Sequence, residues 1–412
     1  MSAPAVRSSP GARLRAPSRL VGVDAARGVA LLGMVATHVL ALSVLDEETF
    51  LEEPTTTALV AAGRASALFA VLAGVSLALA TGGTRAPAGR GLVAARLGTA
   101  ARAVVVAATG LVVGSFGAPV AVILVNYGLL FLLVLPVLGW GPRRLLPLGA
   151  AWLLVVPVLL HPLRDAVVGA GLLPVDPGAS TSLASLADPG LMVGQLFLTG
   201  YYPVLSWAGL VVLGLGVGRL DLRRASTTAL VALGGLVAAA GSAVVAGVLT
   251  PVALPFLSFP DGFYGSSGDV AASLQTGLYG TTPTTTWWWL VVDAPHSGTP
   301  VDLAGVAGSA LVVLGVLVLA AQHLPRVVRW LLWPLAAAGS MTLTLYSLHV
   351  LSLALLRAWE VGGGIPPSEG TVYALQVVGL LVVGCLWQLT GLRGPLEALV
   401  ASASRAARSG IR

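Results

Sequence analysis

The chain contains no lysine, a single cysteine and a single asparagine, and only 10% of its 412 residues are charged. The single Cys385 excludes an intrachain disulfide framework and a cysteine zinc site. A charged fraction well under the roughly one quarter usual for soluble domains excludes a chain that covers itself with polar surface in water. The missing lysines leave all 23 cationic side chains as arginine, a bias that reads as a GC-rich bacterial genome and carries no mechanism. What is present instead is apolar: 56% hydrophobic residues and a mean hydropathy of +0.91. Lipid is therefore the expected solvent, as for an all-α, polytopic membrane bundle. The net charge of +6 does not point to nucleic acid, because the arginines sit in short loops between apolar runs and form no basic stripe.

Crossing the hydrocarbon core takes about 20 apolar residues. That window gives ten spans, near 20–45, 57–81, 92–117, 119–139, 144–162, 199–219, 226–250, 302–322, 331–356 and 371–391. The first stretch carries Asp24 and Arg27 and has no small-residue cleavage site behind it, so it is expected to stay as a span rather than be removed as a signal peptide. With the N-terminus placed in the cytoplasm, twenty arginines fall inside and only Arg64, Arg164 and Arg357 outside. This asymmetry places both termini in the cytoplasm. The chain divides into a basic tail (1–19), a membrane bundle (20–392) and a second basic tail (393–412). Three outer segments, 45–56, 163–198 and 251–301, are longer than turns; the last can cap the bundle or re-enter the membrane. No internal repeat supports an inverted-repeat transporter.

Ionisable side chains inside a bilayer are costly and mark candidate function. The first span carries Asp24, Arg27 and His38. At about 100° per residue Arg27 and His38 lie about 20° apart around the axis, with Asp24 about 40° on the other side of His38, so all three share one face. Arg27 and His38 are separated by roughly 16 Å along that axis. Arg27 suits a phosphate-bearing ligand, and His38 suits proton transfer near neutral pH. The plain alternatives are an Asp24–Arg27 pair that only neutralises two charges, and a His38 that only packs. A second polar stripe in the ninth span consists of Thr342, Tyr346 and His349, spaced i, i+4, i+7. His349 falls at a depth like that of His38, and helix-to-helix hydrogen bonding is the plain reading of the hydroxyls. His296, in the last outer segment, can join the two histidines, with Asp293 or Asp302 orienting a ring. A three-histidine metal site is not favoured, since no two of them share a ligand spacing on one element.

Around these lie further candidates. Arg64 stands against the charge trend and can meet a substrate carboxylate or a lipid phosphate, or reach the interface. Arg90, Arg96 and Arg102 suit the phosphates of a nucleotide-bearing acyl carrier, or serve only as topology determinants. Trp288, within the run Trp287–Trp289, suits stacking on a sugar ring or an interfacial aromatic belt.

The stretch RLVGVDAARGVALLGMVATH at 19–38, followed by GRASALFAVLAGVSLALA at 63–80, resembles the opening of the transmembrane acyltransferase superfamily. That superfamily includes the acyltransferase 3 family and the heparan-α-glucosaminide N-acetyltransferase catalytic domain. An arginine, ten residues and a histidine mark the former; residues 68–74 resemble the second-span motif of the latter. The C-terminal half, with PHSGTPVDLAG at 295–305, AGSMTLTLYSLH at 338–349 and GPLEAL at 394–399, resembles the YeiB-like domain of unknown function 418. The resemblance implies acyl (acetyl) transfer from cytoplasmic acyl-CoA to an extracytoplasmic sugar or envelope glycan, in a multi-pass protein of the bacterial cytoplasmic membrane. His38 is implied as the base or acyl-handling group; the reading of the residues adds Asp24 as the partner of Arg27, and His349, Tyr346 and His296 as the walls of an outer pocket. A small-solute or proton-coupled transporter and a non-catalytic envelope protein are the competing classes; homo-oligomer formation stays open.

Overall fold

The computed structural model describes residues 19–46, 48, 52–173, 180–260 and 269–411. Most of these are helical. In chain order the elements are α1 (Val21–Val39), a hairpin of β1 (Ser43–Leu45) and β2 (Glu52–Pro54), α2 (Thr56–Ala61), α3 (Arg64–Ala80), α4 (Gly89–Gly114), α5 (Leu124–Leu133) and α6 (Pro142–Gly169). There follow α7 (Pro189–Gly194), α8 (Val204–Gly218), α9 (Ala225–Ala253), α10 (Val270–Thr276), α11 (Pro300–His323), α12 (Arg326–Leu331), α13 (Trp333–Gly339), α14 (Thr342–Val361), α15 (Glu369–Leu389) and α16 (Pro395–Ser409).

Local sequence accounts for several of the helix starts. Thr299 accepts a hydrogen bond from the Asp302 N–H ahead of α11, with Pro300 in its first turn. Ser368 does the same for Thr371 in α15. In both, a hydroxyl satisfies a backbone donor that the helix itself leaves unpaired.

By length and composition six helices suffice to cross a membrane among the described residues, or up to eight when two bent pairs each count as one span. The two remaining expected spans differ for identifiable reasons. Asp24, Arg27 and His38 lower the hydropathy of the 19-residue α1. The expected span 119–139 contains only the ten-residue α5, about 15 Å long. The expected span 331–356 is not one straight helix either: residues 329–339 and α14 meet at a 72° bend. Residues 189–199 and α8 make a second bend, of 55°, so part of the expected outer segment 163–198 belongs to a broken helix.

One apolar cluster runs through the bundle interior, built largely from α1, α3, α8 and α11. α3 and α8 approach through glycine on both sides. A Cβ at Gly74 would lie 2.1 Å from the Val211 carbonyl oxygen, and one at Gly214 would lie 2.0 Å from that of Val71. Small residues permit such close packing where lipid supplies no hydrophobic drive between helices. α9 lies along α11 at the periphery and leaves Leu230, Leu233, Leu236, Val237, Val244 and Val248 exposed, as a lipid-facing helix does.

Segment 251–301, expected as a cap or re-entrant loop, has its own small core of Leu257, Leu278, Trp289 and Val292; its residues 261–268 lie outside those described. The segment expected as a C-terminal tail is the packed helix α16, laid against α4. Of the expected N-terminal tail only Arg19 is described.

Candidate active site

α1 positions the first three candidates as its periodicity requires. Asp24, 4% exposed, bonds the Arg19 guanidinium and, at 3.4 Å, that of Arg27. Arg27 also donates to the Ser76 hydroxyl on α3. The backbone of α1 is pressed against α13 here: a Cβ at Gly339 would lie 1.7 Å from the Asp24 carbonyl oxygen.

These residues line one end of an internal cavity of about 670 Å³. Its charged lining is Arg19, Asp24, Arg27, Arg102, Arg393 and Glu397, four cations against two anions. Both anions are already engaged. Asp24 holds two arginines, while the Glu397 carboxylate accepts from the Leu343 and Thr344 N–H groups at 2.8 and 3.2 Å and from the Thr344 hydroxyl at 2.6 Å. Met341 precedes α14 without a side-chain cap, so Glu397 supplies that cap from 53 residues away, where a negative charge complements the helix dipole. The cavity reaches the surface beside the exposed Leu392 and Arg393.

At the opposite end the cavity closes on Met34, Ile123, Tyr127 and Tyr346. His38 and His349 sit about one helical turn further along α1 and α14. The His38 Nδ1 lies 2.9 Å from the His349 Nε2, and the ring planes are within 6° with centroids 5.2 Å apart. That separation equals one hydrogen bond plus two ring radii, so the rings lie edge to edge in a common plane rather than face to face. The other nitrogen of His349, Nδ1, bonds the Gln376 side-chain oxygen on α15.

With the Gln376 oxygen accepting, the orientation that satisfies the network, the protons follow in sequence. His349 Nδ1–H donates to Gln376; its Nε2 then has only a lone pair, so His38 Nδ1–H donates to it. The His38 Nε2 is left with a free lone pair, the state of a general base.

His296 is close enough to interact electrostatically with His38 but is committed elsewhere. Its Nε2 accepts from the Gly63 N–H at 3.2 Å, and its ring lies 4.6 Å and 5.7 Å from those of Tyr201 and Tyr202. Its backbone takes a left-handed φ of 59°, uncommon for a side-chain-bearing residue. Burial pushes its pKa down to about 4. Neither expected aspartate orients a histidine ring in the contacts found: Asp302 accepts from the Gly298 N–H at 2.9 Å, and Gln376 takes the orienting place. Burial raises the Asp293 pKa, partly offset by Arg64, which also donates to the Leu59 carbonyl.

The expected arginine trio separates. Steps of six residues turn about 240° around a helix, so the three face different ways. Arg102 lines the cavity; Arg96 donates to the Leu135 and Pro136 carbonyls, both at 2.9 Å; Arg90 is exposed. Trp288 packs at the cap, 6.0 Å from Phe256, and is not among the cavity residues. Among the described residues no three His, Cys, Asp or Glu side chains converge as metal ligands.

Sequence reasoning missed Gln376, Glu397 and Arg393, and also Gln388, which lines the cavity and donates to the Ser340 hydroxyl. An amide inside an apolar span is itself a signal, and it was available for the two glutamines. Glu397 and Arg393 carry no local signal, because what they touch is set by the bend before α14.

Fold and site together define a multi-pass α-helical membrane protein with an internal, arginine-lined cavity leading toward a part-buried histidine pair. Residues 19–247 match the family described as heparan-alpha-glucosaminide N-acetyltransferase, catalytic. The chain belongs to that family. No curated protein sequence matches it. The matched segment carries Asp24, Arg27, His38 and Arg102; Tyr346, His349, Gln376, Arg393 and Glu397 follow it.

Proposed function

We propose that the protein transfers an acyl group, most simply acetyl, from acyl-CoA to an amine or hydroxyl of an extracytoplasmic sugar or envelope glycan. The observation that carries this reading is the line from a cation-rich cavity to a histidine whose Nε2 lone pair is free. Two unbalanced positive charges in the cavity complement a polyanionic donor, and Arg19, Arg27, Arg102 and Arg393 are the groups that would hold its phosphates. The apolar stretch of Val23, Phe69, Leu72 and Val106 would flank its pantetheine arm, directing the thioester toward Met34 and Tyr346.

In this reading the arginine-rich end faces the cytoplasm and the histidine end faces outward, in a bacterial cytoplasmic membrane. The acceptor arrives from the outer side, near the cap. His38 Nε2 takes the proton of the attacking amine or hydroxyl as the new bond to the acyl carbon forms. The carbon–sulfur bond breaks, and the proton passes to the departing sulfur to give free CoA. His349 and Gln376 hold the His38 proton on Nδ1 throughout. The YeiB-like C-terminal half supplies that orienting arm.

The test is transfer of labelled acetyl from acetyl-CoA to amino-sugar acceptors by purified protein in nanodiscs. Turnover with the wild type and its loss with His38→Ala are expected. Turnover unchanged in His38→Ala removes this residue from the chemistry, and solute uptake without any CoA dependence replaces the reading with a transporter.

A further inference from the structure

The cavity closes on a tyrosine whose chemistry the proton chain does not use. Tyr346 is 4% exposed, lines the cavity and stands three residues before His349 on the same face of α14, the two ring centroids 6.4 Å apart. Its hydroxyl has no hydrogen-bond partner although it is buried. The Ile123 backbone approaches that hydroxyl without closing a bond. Neighbouring Tyr127 does the opposite, donating to the Ser66 carbonyl at 3.2 Å.

A buried hydroxyl left unpaired costs about 1–3 kcal/mol, so its retention at the end of a ligand cavity needs a reason. Helical side chains lean toward the N-terminus, which puts the phenol of Tyr346 on the cavity side of the His349 ring. It therefore stands between the cation-lined chamber and the histidine pair. Ile123 immediately precedes the ten-residue α5, whose first backbone N–H groups have no partner within the helix.

We infer that the Tyr346 hydroxyl is the oxyanion donor of the acyl transfer, aimed at the thioester carbonyl oxygen at the closed end of the cavity. This rests on the acyltransferase reading above. As the acceptor nitrogen or oxygen bonds to the acyl carbon, the carbonyl π pair moves onto oxygen, and the Tyr346 O–H donates to the resulting oxyanion. When that pair returns to re-form the carbonyl, the carbon–sulfur bond breaks. The sulfur leaves with the proton that His38 collected from the acceptor. The tyrosine itself exchanges no proton, so one donor suffices and no further reactant is needed.

Tyr346→Phe keeps the ring and removes only the hydroxyl. Single oxyanion donors are worth about 10²–10³-fold in kcat, and that loss is expected with the KM for acetyl-CoA within about twofold. Binding of a non-reactive CoA thioether is expected to be unchanged, and thermal stability in detergent equal to or above wild type, because an unpaired buried hydroxyl has gone. A Tyr346→Phe kcat within threefold of wild type, in a preparation where His38→Ala abolishes transfer, overturns the oxyanion role and leaves the acyltransferase reading standing. A parallel fall in stability and activity also overturns it, by making the hydroxyl structural. Wild-type protein without transfer activity overturns both.

Discussion

Removing the Gln376 side-chain oxygen tests the proton chain at the link furthest from the chemistry. In Gln376→Leu the His349 Nδ1–H loses its acceptor, and with His349 only 1% exposed water cannot replace it freely. An unmatched buried donor costs about 1–3 kcal/mol. His349 escapes the cost by moving its proton to Nε2, but that nitrogen faces His38 Nδ1 across 2.9 Å, and two N–H groups cannot share that contact. The proton on His38 must then move to Nε2, which removes the lone pair assigned to the base in the proposed transfer. At about 1.4 kcal/mol per tenfold, the base-competent arrangement falls by roughly 10- to 100-fold, and kcat with it. Gln376 does not line the cavity, so the KM for acyl-CoA is expected to stay within about twofold. Gln376→Glu retains an acceptor and is expected to keep far more activity than Gln376→Leu. Steady-state transfer assays in nanodiscs measure the kinetics, and nitrogen chemical shifts of labelled histidine read the tautomers. A Gln376→Leu enzyme with kcat within twofold, or with only KM altered, refutes the relay.

Three other outcomes follow from contacts in the bundle. Glu397→Ala leaves the N-terminus of α14 uncapped at two backbone N–H groups and one hydroxyl, and should lower stability by about 2–3 kcal/mol; Glu397→Gln, which keeps an acceptor, should cost less, both read by thermal unfolding in detergent. Gly339→Ala forces a Cβ to 1.7 Å from the Asp24 carbonyl oxygen, and should cost at least about 1–3 kcal/mol or fail to accumulate as folded protein; a wild-type melting curve would contradict the packing of α1 on α13. His296, with its pKa held at about 4 by burial against about 6.5 in the unfolded chain, takes a proton later than the unfolded chain does as pH falls. Its contribution is complete above pH 6.5 and is lost between there and pH 4, so His296→Gln should flatten the stability profile in that window.

The apolar spans were legible because lipid demands long uninterrupted runs, and the shared face of Asp24, Arg27 and His38 followed from helical geometry. The pairing of His38 with His349 had a partial signal in their similar depth. What stayed hidden was where the chain bends. Residues 338–349 are free of proline, and the Gly339–Ser340 pair is the one local cue where α13 gives way to α14; close contact of Gly339 with α1 and the Glu397 cap act there as well. In the 119–139 stretch the breakers were visible, since Pro119 and Pro136 bracket a segment that a hydropathy window smooths over. The separation of Arg90, Arg96 and Arg102 was also available, because their six-residue spacing does not keep one face.

α1 brings Asp24, Arg27 and His38 into the bundle, and its partners explain how it stays there. The C-terminal half meets it at four levels: α13 packs against Asp24 and Gly28, Tyr346 bounds the cavity beside Met34, His349 Nε2 lies 2.9 Å from His38 Nδ1, and Glu369 accepts from the Ala41 N–H at 2.8 Å just beyond the helix. An isolated helix with those ionisable groups would leave them facing lipid, at a cost of several kcal/mol. Of the residues that make the helix expensive to bury, His38 is received by α14, while Asp24 and Arg27 pair with each other, with Arg19 and with Ser76 on α3. The segment matched to the acetyltransferase family ends at residue 247, before all of these partners. The helix that carries Asp24, Arg27 and His38 is therefore packed by both halves of the chain, and the histidine contact joins the family segment to the residues that follow it.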